Sequence, residues 1–375
     1  MSDSTTPSTG NLLYSAIEEE LRDSIRGLLD KRSPWDAVLA RTESDATVDL
    51  ELWKTLTTEI GCAALAVDEE AGGAGASWRE TAVVAEELGR SVAPVPFLGS
   101  AGIAVALLQG LGQAELLAAV AGGEVASVAL PFGTAPGDSF GGVRVQDEKL
   151  YGTVATVADA TAADVFLVPV GDAVYRVSAH AAGLTRTEIV SLDMTRPLVD
   201  LEFDGVAAEL LAQGEHVTAE VAAALRIGAV LLASEQLGLA ERCLEMALEY
   251  LRMRRQFGRI IGSYQGIKHR AADLWVQITQ ARAVARYAAE CAATGSPDLP
   301  VAAALAQSLC SVVAQQAAEE CVQFHGGIGF TWEHPAHLYL KRAKSSAIAL
   351  GTPDRHRAEL AALVNIPPPD SVAAR

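Results

Sequence analysis

Positive charge is scarce in this sequence, and its scarcity argues against one broad class of function. The 375 residues contain 29 Lys and Arg against 47 Asp and Glu, which gives a formal net charge of -18. A strongly acidic chain is repelled by a phosphate backbone, so nucleic acid is not expected as a partner. Only 20% of the residues are charged while 50% are hydrophobic, which predicts a globular protein with a large core.

Several motifs that indicate a particular chemistry are missing as well. The five cysteines include no CxxC pair and are expected to be buried, reduced thiols. No intact GxGxxG follows a strand and no GxxxxGK[ST] occurs, which argues against Rossmann and P-loop nucleotide sites. His334 and His337 have no HExxH or carboxylate cluster beside them, so no metal site is expected. The run GDSFG has the letters of a hydrolase elbow, but no helical pattern follows it and Ser139 is interpreted as a loop serine.

The N-terminal segment lacks the basic start and the apolar stretch of a secretory signal, so a cytoplasmic protein is expected. One uncharged run, residues 91–114, has 24 residues and would be long enough to cross a bilayer as a single helix. Its prolines and glycines divide it into a turn, a short helix and another turn. The run is therefore expected inside a helical domain, with no membrane insertion.

The hydrophobic pattern changes twice along the chain and predicts three domains. Residues 1–122 have a helical period, and Gly89 is expected to end the helix that contains Glu86 and Glu87. Residues 123–213 contain short β-rich runs that predict an antiparallel sheet. Residues 214–375 return to a helical period, with one very long helix from about Ala219 to Arg255, which predicts a bundle. The predicted fold class is mainly α with a central β domain.

Two segments of the predicted bundle have features of an anion-binding site. In the first, basic residues are concentrated against the acidic trend of the chain: Arg252, Arg254, Arg255, Arg259, Lys268 and Arg270. Arginine forks bind phosphate oxygens, although a solvated helix end that pairs with earlier glutamates is the alternative. The second segment, QFHGGIGFTWEHP at 323–335, ends a helix in paired glycines that expose backbone N–H groups to a ligand. Its alternative is a simple helix cap and turn.

These two segments, RRQFGRIIGSYQGIKHRAADL at 254–274 and QFHGGIGFTWEHP, resemble motifs of the acyl-CoA dehydrogenase family. VDEEAGGAG with EELGR is similar to the family's N-terminal helical domain, and LKRAKSSAIALGTPDRHR at 340–357 is similar to its closing segment. The resemblance implies an N-terminal helical domain, an antiparallel β domain and a C-terminal four-helix bundle. It also implies FAD bound between subunits, an acyl-CoA substrate and an electron-transfer flavoprotein as electron acceptor.

The resemblance further assigns residues of this chain to FAD. Those expected at or near the adenosine diphosphate part are Arg254, Phe257 and Gln265. Those expected to contact the pyrophosphate from the partner protomer are Gln323, Gly326 and Gly327. Thr352 is expected to contact FAD near its own end of the site.

The catalytic base is where the sequence departs from the family pattern. Family enzymes remove an α proton with a carboxylate while the β hydride moves to the flavin, so a well-placed base is essential. The usual base position, directly before Gly-Thr in the closing segment, is Leu350 here. A second position used by some relatives falls at about Gly228. The nearest carboxylates are Glu220 and Glu235, two helical turns to either side, for which surface or interhelical pairing is the alternative role.

The loop LPFGTAPGDS at 130–139 also lacks groups that the family uses to hydrogen-bond the flavin. Some family members in actinobacterial steroid degradation resemble pairs of unlike subunits, of which only one supplies the base. The leading hypothesis is therefore the base-lacking subunit of a heteromeric acyl-CoA dehydrogenase that carries out α,β-dehydrogenation of an acyl-CoA thioester. The alternatives are a self-sufficient enzyme that uses a non-standard carboxylate and a non-catalytic structural or binding homologue.

Overall fold

The computed structural model describes residues 12–366, which begin with a helical region. Its elements are α1 (Ala16–Arg32), α2 (Trp35–Thr42), α3 (Leu50–Thr58), α4 (Trp78–Ser91), a π-helix (Phe97–Ala104), α5 (Val105–Gly110) and α6 (Ala114–Ala121). Two of these helices begin with a capping box, in which a serine and a glutamate satisfy each other's backbone N–H groups. Ser15 and Glu18 cap α1, and Ser77 and Glu80 cap α4.

The central region contains eight strands: β1 (Ala126–Val128), β2 (Val143–Gln146), β3 (Lys149–Ala158), β4 (Val165–Val170), β5 (Ala173–Ser178), β6 (Leu184–Ile189), β7 (Leu198–Ala207) and β8 (Glu209–Gln213). They form two four-stranded sheets with the orders β1-β4-β5-β8 and β2-β3-β7-β6. All pairs are antiparallel except β1 with β4, which is parallel. The sequence predicts a single antiparallel sheet. The structure instead has two sheets, and one of their strand pairs is parallel.

The C-terminal region returns to helices: α7 (His216–Met253), a hairpin of β9 (Arg255–Gln256) and β10 (Arg259–Ile260), α8 (Gln265–Ala293), α9 (Leu299–His325), α10 (Ala336–Ser346) and α11 (Pro353–Leu363). The long helix expected at about 219–255 is α7, with 38 residues. It packs against α4, α8, α9 and α10, so most of its circumference is buried and its sequence is apolar on several faces.

Gly89 does not end α4, which corrects the expectation from the sequence. The helix continues to Ser91 and ends at Val92, which adopts a left-handed conformation with φ 46°. A Cβ atom at Gly89 would overlap the carbonyl oxygen of Glu235 on α7, and a Cβ atom at Gly238 would overlap the carbonyl oxygen of Glu86 on α4. The two glycines thus allow the backbones of α4 and α7 to touch where the helices cross.

Two apolar helical stretches, α7 and residues 299–330, are long enough to cross a membrane by length and composition alone. In each, 67% of the most apolar window is buried inside the protein, as expected for core helices. The run at 91–114 contains a shorter apolar helix, Phe97–Gly110. All five cysteines are buried and free, as predicted, and Ser139 lies in the loop that precedes β2.

Candidate functional site

The segment that joins α10 to α11 carries Leu350, the position at which the sequence analysis expected a catalytic base. Leu350 is buried and has a left-handed backbone with φ 53°. Its N–H donates to the carbonyl oxygen of Phe132 at 2.7 Å, and its own carbonyl accepts a hydrogen bond from His356 Nε2 at 2.9 Å. The closing segment is therefore hydrogen-bonded directly to the loop at 130–139.

The second base position, Gly228 on α7, lies against Leu350. A Cβ atom at Gly228 would be 2.7 Å from Ile103 Cγ1 and 3.1 Å from Leu350 Cδ1. Ile103, Phe132, Leu225 and Leu350 line a cavity of about 30 Å³, which has room for about two water molecules. The two positions that the sequence analysis treated separately thus lie side by side, and neither supplies a proton acceptor.

Glu235 is held in a buried ion-pair cluster between the β region and the helices. Its carboxylate lies 2.5 Å from Arg196 Nη2 and 3.1 Å from Arg342 Nη1. Arg342 also pairs with Asp193 at 2.9 Å and donates to the hydroxyl of Thr195. Burial opposes ionisation of Glu235, but the two arginines outweigh it and hold its pKa below the ordinary value. The structure thus gives Glu235 the interhelical pairing that was the alternative to a base.

Glu220 lies near the start of α7, eight residues or roughly 12 Å along the helix axis from Gly228. Its carboxylate packs against α5, where it would overlap a Cβ atom at Gly110. Neither carboxylate named by the sequence analysis lines the pocket formed around Leu350 and Gly228.

A separate, open cavity of about 460 Å³ brings together the two basic and glycine-rich segments. Its lining residues are Tyr250, Arg254, Gln256, Ile261, Phe324, His325, Gly326, Gly327 and Ile328. Arg254 at the end of α7 and the paired glycines at the end of α9 lie on one cavity of one chain. The protomer whose FAD each of them contacts stays a prediction. Sequence reasoning also missed His325 and Tyr250, although His325 directly precedes the glycine pair.

The cavity, here called the cradle, has the chemistry that a diphosphate requires. Arg254 is exposed and makes no ion pair within residues 12–366. A Cβ atom at Gly326 or Gly327 would meet nothing within 4 Å, so the backbone there faces open space, and Gly326 has φ 63°. An unpaired guanidinium group binds phosphate oxygens, and glycines without Cβ atoms let a phosphate approach the backbone closely.

The remaining residues assigned to FAD do not line the cradle, although two of them, Phe257 and Gln323, are next to lining residues in the sequence. Phe257, at the tip of the β9–β10 hairpin, is 92% exposed. Gln265 is the first residue of α8, and Gln323 precedes Gly326 by one helical turn on α9. Thr352 belongs to the closing segment instead, where its hydroxyl caps α11 by accepting the N–H of Arg355 at 3.3 Å.

Comparison with known proteins shows the family to which the chain belongs. The description "Acyl-CoA dehydrogenase, N-terminal domain" matches residues 15–122, and "Acyl-CoA dehydrogenase, C-terminal domain" matches residues 218–364. Acyl-CoA dehydrogenase IpdE2 of Mycobacterium tuberculosis is 36% identical over 339 residues, which cover 89% of this chain and 92% of that protein. The chain belongs to the acyl-CoA dehydrogenase family. The resemblance stated from the motifs and the fold class predicted from the pattern are both confirmed.

Two solved structures share the fold over nearly the whole chain. The ChsE4–ChsE5 complex from Mycobacterium tuberculosis has a TM-score of 0.84 and 27% identity, and the match covers 96% of this chain and 100% of that chain. A variant of the Tcur3481–Tcur3483 steroid ACAD has a TM-score of 0.81 and 28% identity, covering 96% and 99%. These similarities support the predicted likeness to acyl-CoA dehydrogenases of the actinobacterial steroid type.

FAD is the cofactor of acyl-CoA dehydrogenases, and it supplies the acceptor for the hydride that leaves the acyl group. The residues of this chain fit the two ends of FAD unequally. The cradle fits the diphosphate, because it combines an unpaired guanidinium group with open backbone. The pocket beside Leu350 has too little space for an isoalloxazine ring or an acyl group, because its volume is only about 30 Å³.

Proposed function

We propose that this chain is the base-lacking subunit of a heteromeric, FAD-dependent acyl-CoA dehydrogenase. One observation carries the proposal: both base positions, Leu350 and Gly228, are apolar and their side-chain positions abut. A carboxylate reaching this pocket from elsewhere would have to displace Ile103 or Leu225 and would lose its hydration. The chain therefore relies on a homologous subunit for proton abstraction.

In this proposal the chain contributes half of an FAD site to its partner. The cradle holds the adenosine diphosphate end through Arg254, Gly326 and Gly327, with Phe257, Gln265 and Gln323 beside it. The isoalloxazine end lies in the partner subunit, together with the catalytic glutamate and the acyl-CoA. The closing segment of this chain, including Thr352, then has a structural role.

The assembly itself is proposed from exposed apolar side chains and from the relatives. Trp275 and Val276 on α8 and Phe330 and Trp332 after α9 are exposed on the C-terminal helices, where a second subunit would cover them. One of the similar structures is a ChsE4–ChsE5 complex and the other is a Tcur3481–Tcur3483 steroid ACAD, and these pairs of differently named proteins support a heteromer. By the same analogy we propose a steroid-derived acyl-CoA substrate and an electron-transfer flavoprotein as electron acceptor. We also propose a cytoplasmic location and three domains with the limits 1–122, 123–213 and 214–375.

The positions of Glu235 and Glu220 do not favour a self-sufficient enzyme that uses either of them as its base. Glu235 forms ion pairs with Arg196 and Arg342, and Glu220 packs against α5. A non-catalytic homologue is distinguished from the proposal by experiment.

The decisive experiment records the visible flavin spectrum under anaerobic conditions, before and after addition of fatty acyl-CoA and steroid-derived acyl-CoA esters. The spectrum is taken for this chain alone, for a homologous subunit that carries the glutamate before its Gly-Thr, and for the two together. We expect bleaching only in the mixture, and no bleaching when the partner's glutamate is replaced by glutamine. Bleaching of this chain alone would contradict the proposal, and a mixture without flavin would favour the non-catalytic homologue.

A further inference from the structure

We infer that His325 makes the binding of the FAD diphosphate to the cradle depend on pH, because its protonated ring presents Nε2–H to that diphosphate. The inference rests on the proposed function, in which the cradle holds the adenosine diphosphate end of FAD. It adds a positioning residue and a proton to a site that otherwise consists of Arg254 and open backbone.

The orientation of the His325 ring is fixed by one of its two nitrogens. Nδ1 lies 2.7 Å from the carbonyl oxygen of Cys321, to which only a protonated nitrogen can donate. Nε2 has no hydrogen-bond partner among residues 12–366 and is absent from their buried, unpartnered polar atoms. His325 lines the cradle, so an Nε2 that is neither paired nor fully buried is left available to a ligand there.

Two aromatic neighbours restrict the ring further. His325 lies between Tyr250, at 4.6 Å between ring centroids, and His334, at 3.9 Å. His334 Nδ1 accepts the backbone N–H of Ala336 at 3.2 Å, so that nitrogen carries no proton. Burial and the neighbouring His325 lower the pKa of His334 to about 4. Of the two stacked histidines, His325 is therefore the one that takes the charge.

The helix ends around the cradle favour a cation at this position. Arg254 is the C-cap of α7 and His325 is the last residue of α9, so both helices direct their C-terminal ends at the same cavity. The helix macrodipole is negative there, which stabilises cations and repels an anion. A diphosphate placed at two helix C-termini needs positive side chains to offset that repulsion. His325 and Arg254 are the side chains in position to supply them.

The titratable groups that face His325 come from three elements. They are Cys321 of α9, whose Sγ lies 3.7 Å from Nδ1, Tyr250 of α7, and His334 of the loop before α10. Cys243 and Arg242 of α7 act on Cys321. Burial lowers the pKa of His325, but its contacts with Cys321 more than offset this and raise it above the ordinary value. The hydrogen bond from Cys243, and then that of His325, bring the pKa of Cys321 to about 6 despite burial. The proton is therefore shared, and the apparent pKa belongs to the His325–Cys321 pair.

The sign of the pH dependence follows from the charge of the ligand. The diphosphate diester of FAD stays ionised between about pH 5.5 and 8.5, the range in which histidine titrates. Binding of this anion favours imidazolium, so the pKa of the pair is higher in the complex than in the empty cradle. Affinity is highest below the pKa of the empty cradle, falls by at most about tenfold per pH unit between the two pKa values, and is constant above the pKa of the complex. Binding is also accompanied by proton uptake.

The test uses the FAD-loaded assembly that contains the full-length chain. The assembly is diluted stepwise at several pH values between about 5.5 and 8.5, and the release of FAD is measured as a rise in flavin fluorescence. We expect His325→Gln, which keeps a neutral side-chain donor, to abolish the pH dependence and to bind FAD at all pH values as weakly as the unsubstituted protein does at high pH. Arg254→Gln is the matched control: it weakens FAD at every pH and retains the slope.

Two further results separate the inference from the proposed function. If His325→Gln binds FAD but keeps the slope, the inference is wrong while the cradle stands. If the unsubstituted assembly never binds FAD, the proposed function fails and the inference with it. Cys321→Ala preserves the carbonyl contact to Nδ1 and is expected to keep a slope with a shifted midpoint. Loss of the slope in that variant alone would assign the proton to the thiol and overturn the role given to His325.

Discussion

Glu86 on α4 shows how a single buried carboxyl group makes stability depend on pH. Its Oε2 accepts a hydrogen bond from the hydroxyl of Tyr14 at 2.5 Å, and the side chain is buried. Burial and then the negative charge of Glu241 raise the pKa of Glu86 to about 7, against the lowering effect of Tyr14 and Arg286. A carboxyl whose pKa is raised in the folded state binds its proton more tightly there than in the unfolded chain. Folding is therefore favoured at low pH, and this contribution is lost as the pH rises from the unfolded value to about 7.

We predict that Glu86→Gln removes this loss. The unsubstituted protein should become less stable between about pH 4.5 and 7, by roughly 3 kcal/mol if the whole shift is expressed. The variant should be flatter over the same range and at least as stable above it, since glutamine can still accept the hydrogen bond of Tyr14. Urea denaturation at several pH values measures this difference. Glu20→Gln, on the exposed face of α1, is the control and should leave the pH profile unchanged.

A substitution at Glu235 tests whether its carboxylate has a structural or a catalytic role. Glu235→Gln leaves Arg196 and Arg342 as buried cations with less compensation, and we expect a loss of about 3 kcal/mol or more in the free energy of unfolding. In the active mixture of subunits, the fraction that stays folded should retain its turnover, because the base belongs to the partner. A stable variant that has lost turnover while holding FAD would instead identify Glu235 as the base.

At the scale of elements, the crossing of α4 and α7 depends on two glycines. We predict that Gly89→Ala destabilises the protein by about 3 kcal/mol or more, because its Cβ atom would meet backbone of α7 that cannot move without separating the helices. Gly27→Ala is the matched control, since Gly27 lies in α1 with nothing within 4 Å of the added atom. It should stabilise the chain by up to about 1 kcal/mol through helix propensity. Thermal unfolding compares the two, and equal effects would show that the crossing tolerates a side chain.

The elements also show which parts of the structure the sequence could reveal. The apolar periodicity of α7 and the short β-rich runs are local patterns, and both predicted real elements. The role of Gly89 was hidden, because a glycine late in a helix has the same local appearance whether it ends the helix or permits a crossing. The contact of Gly228 with Leu350 joins positions far apart in sequence, and only tertiary packing brings them together. For the same reason, motifs indicated that Arg254 and Gly326 bind FAD but not that they share one cavity.

At the scale of the whole molecule, the C-terminal helices carry apolar side chains that no other part of residues 12–366 covers. Trp275 on α8 is 58% exposed, with Val276 beside it, and Phe330 and Trp332 are exposed after α9. A second subunit over this surface would bury these side chains and would bring its own half of the FAD site to the cradle. Assembly and cofactor retention are then expected to be coupled, because FAD bound between two subunits stabilises their association.

We predict that Trp275→Glu separates the subunits and that FAD is released at the same time. The substitution is on the surface, so the isolated chain should stay folded, with an unchanged far-UV circular dichroism spectrum and melting temperature. Light scattering coupled to size-exclusion chromatography should show a smaller species, and the flavin absorbance should leave the protein peak. Leu50→Glu is the control, because Leu50 is an equally apolar, exposed residue in the first turn of α3, where an acidic side chain is favourable. Retention of both mass and flavin by Trp275→Glu would place the subunit contact elsewhere. Loss of mass with flavin retained would mean that one chain holds FAD unaided, which the small volume of the pocket beside Leu350 argues against.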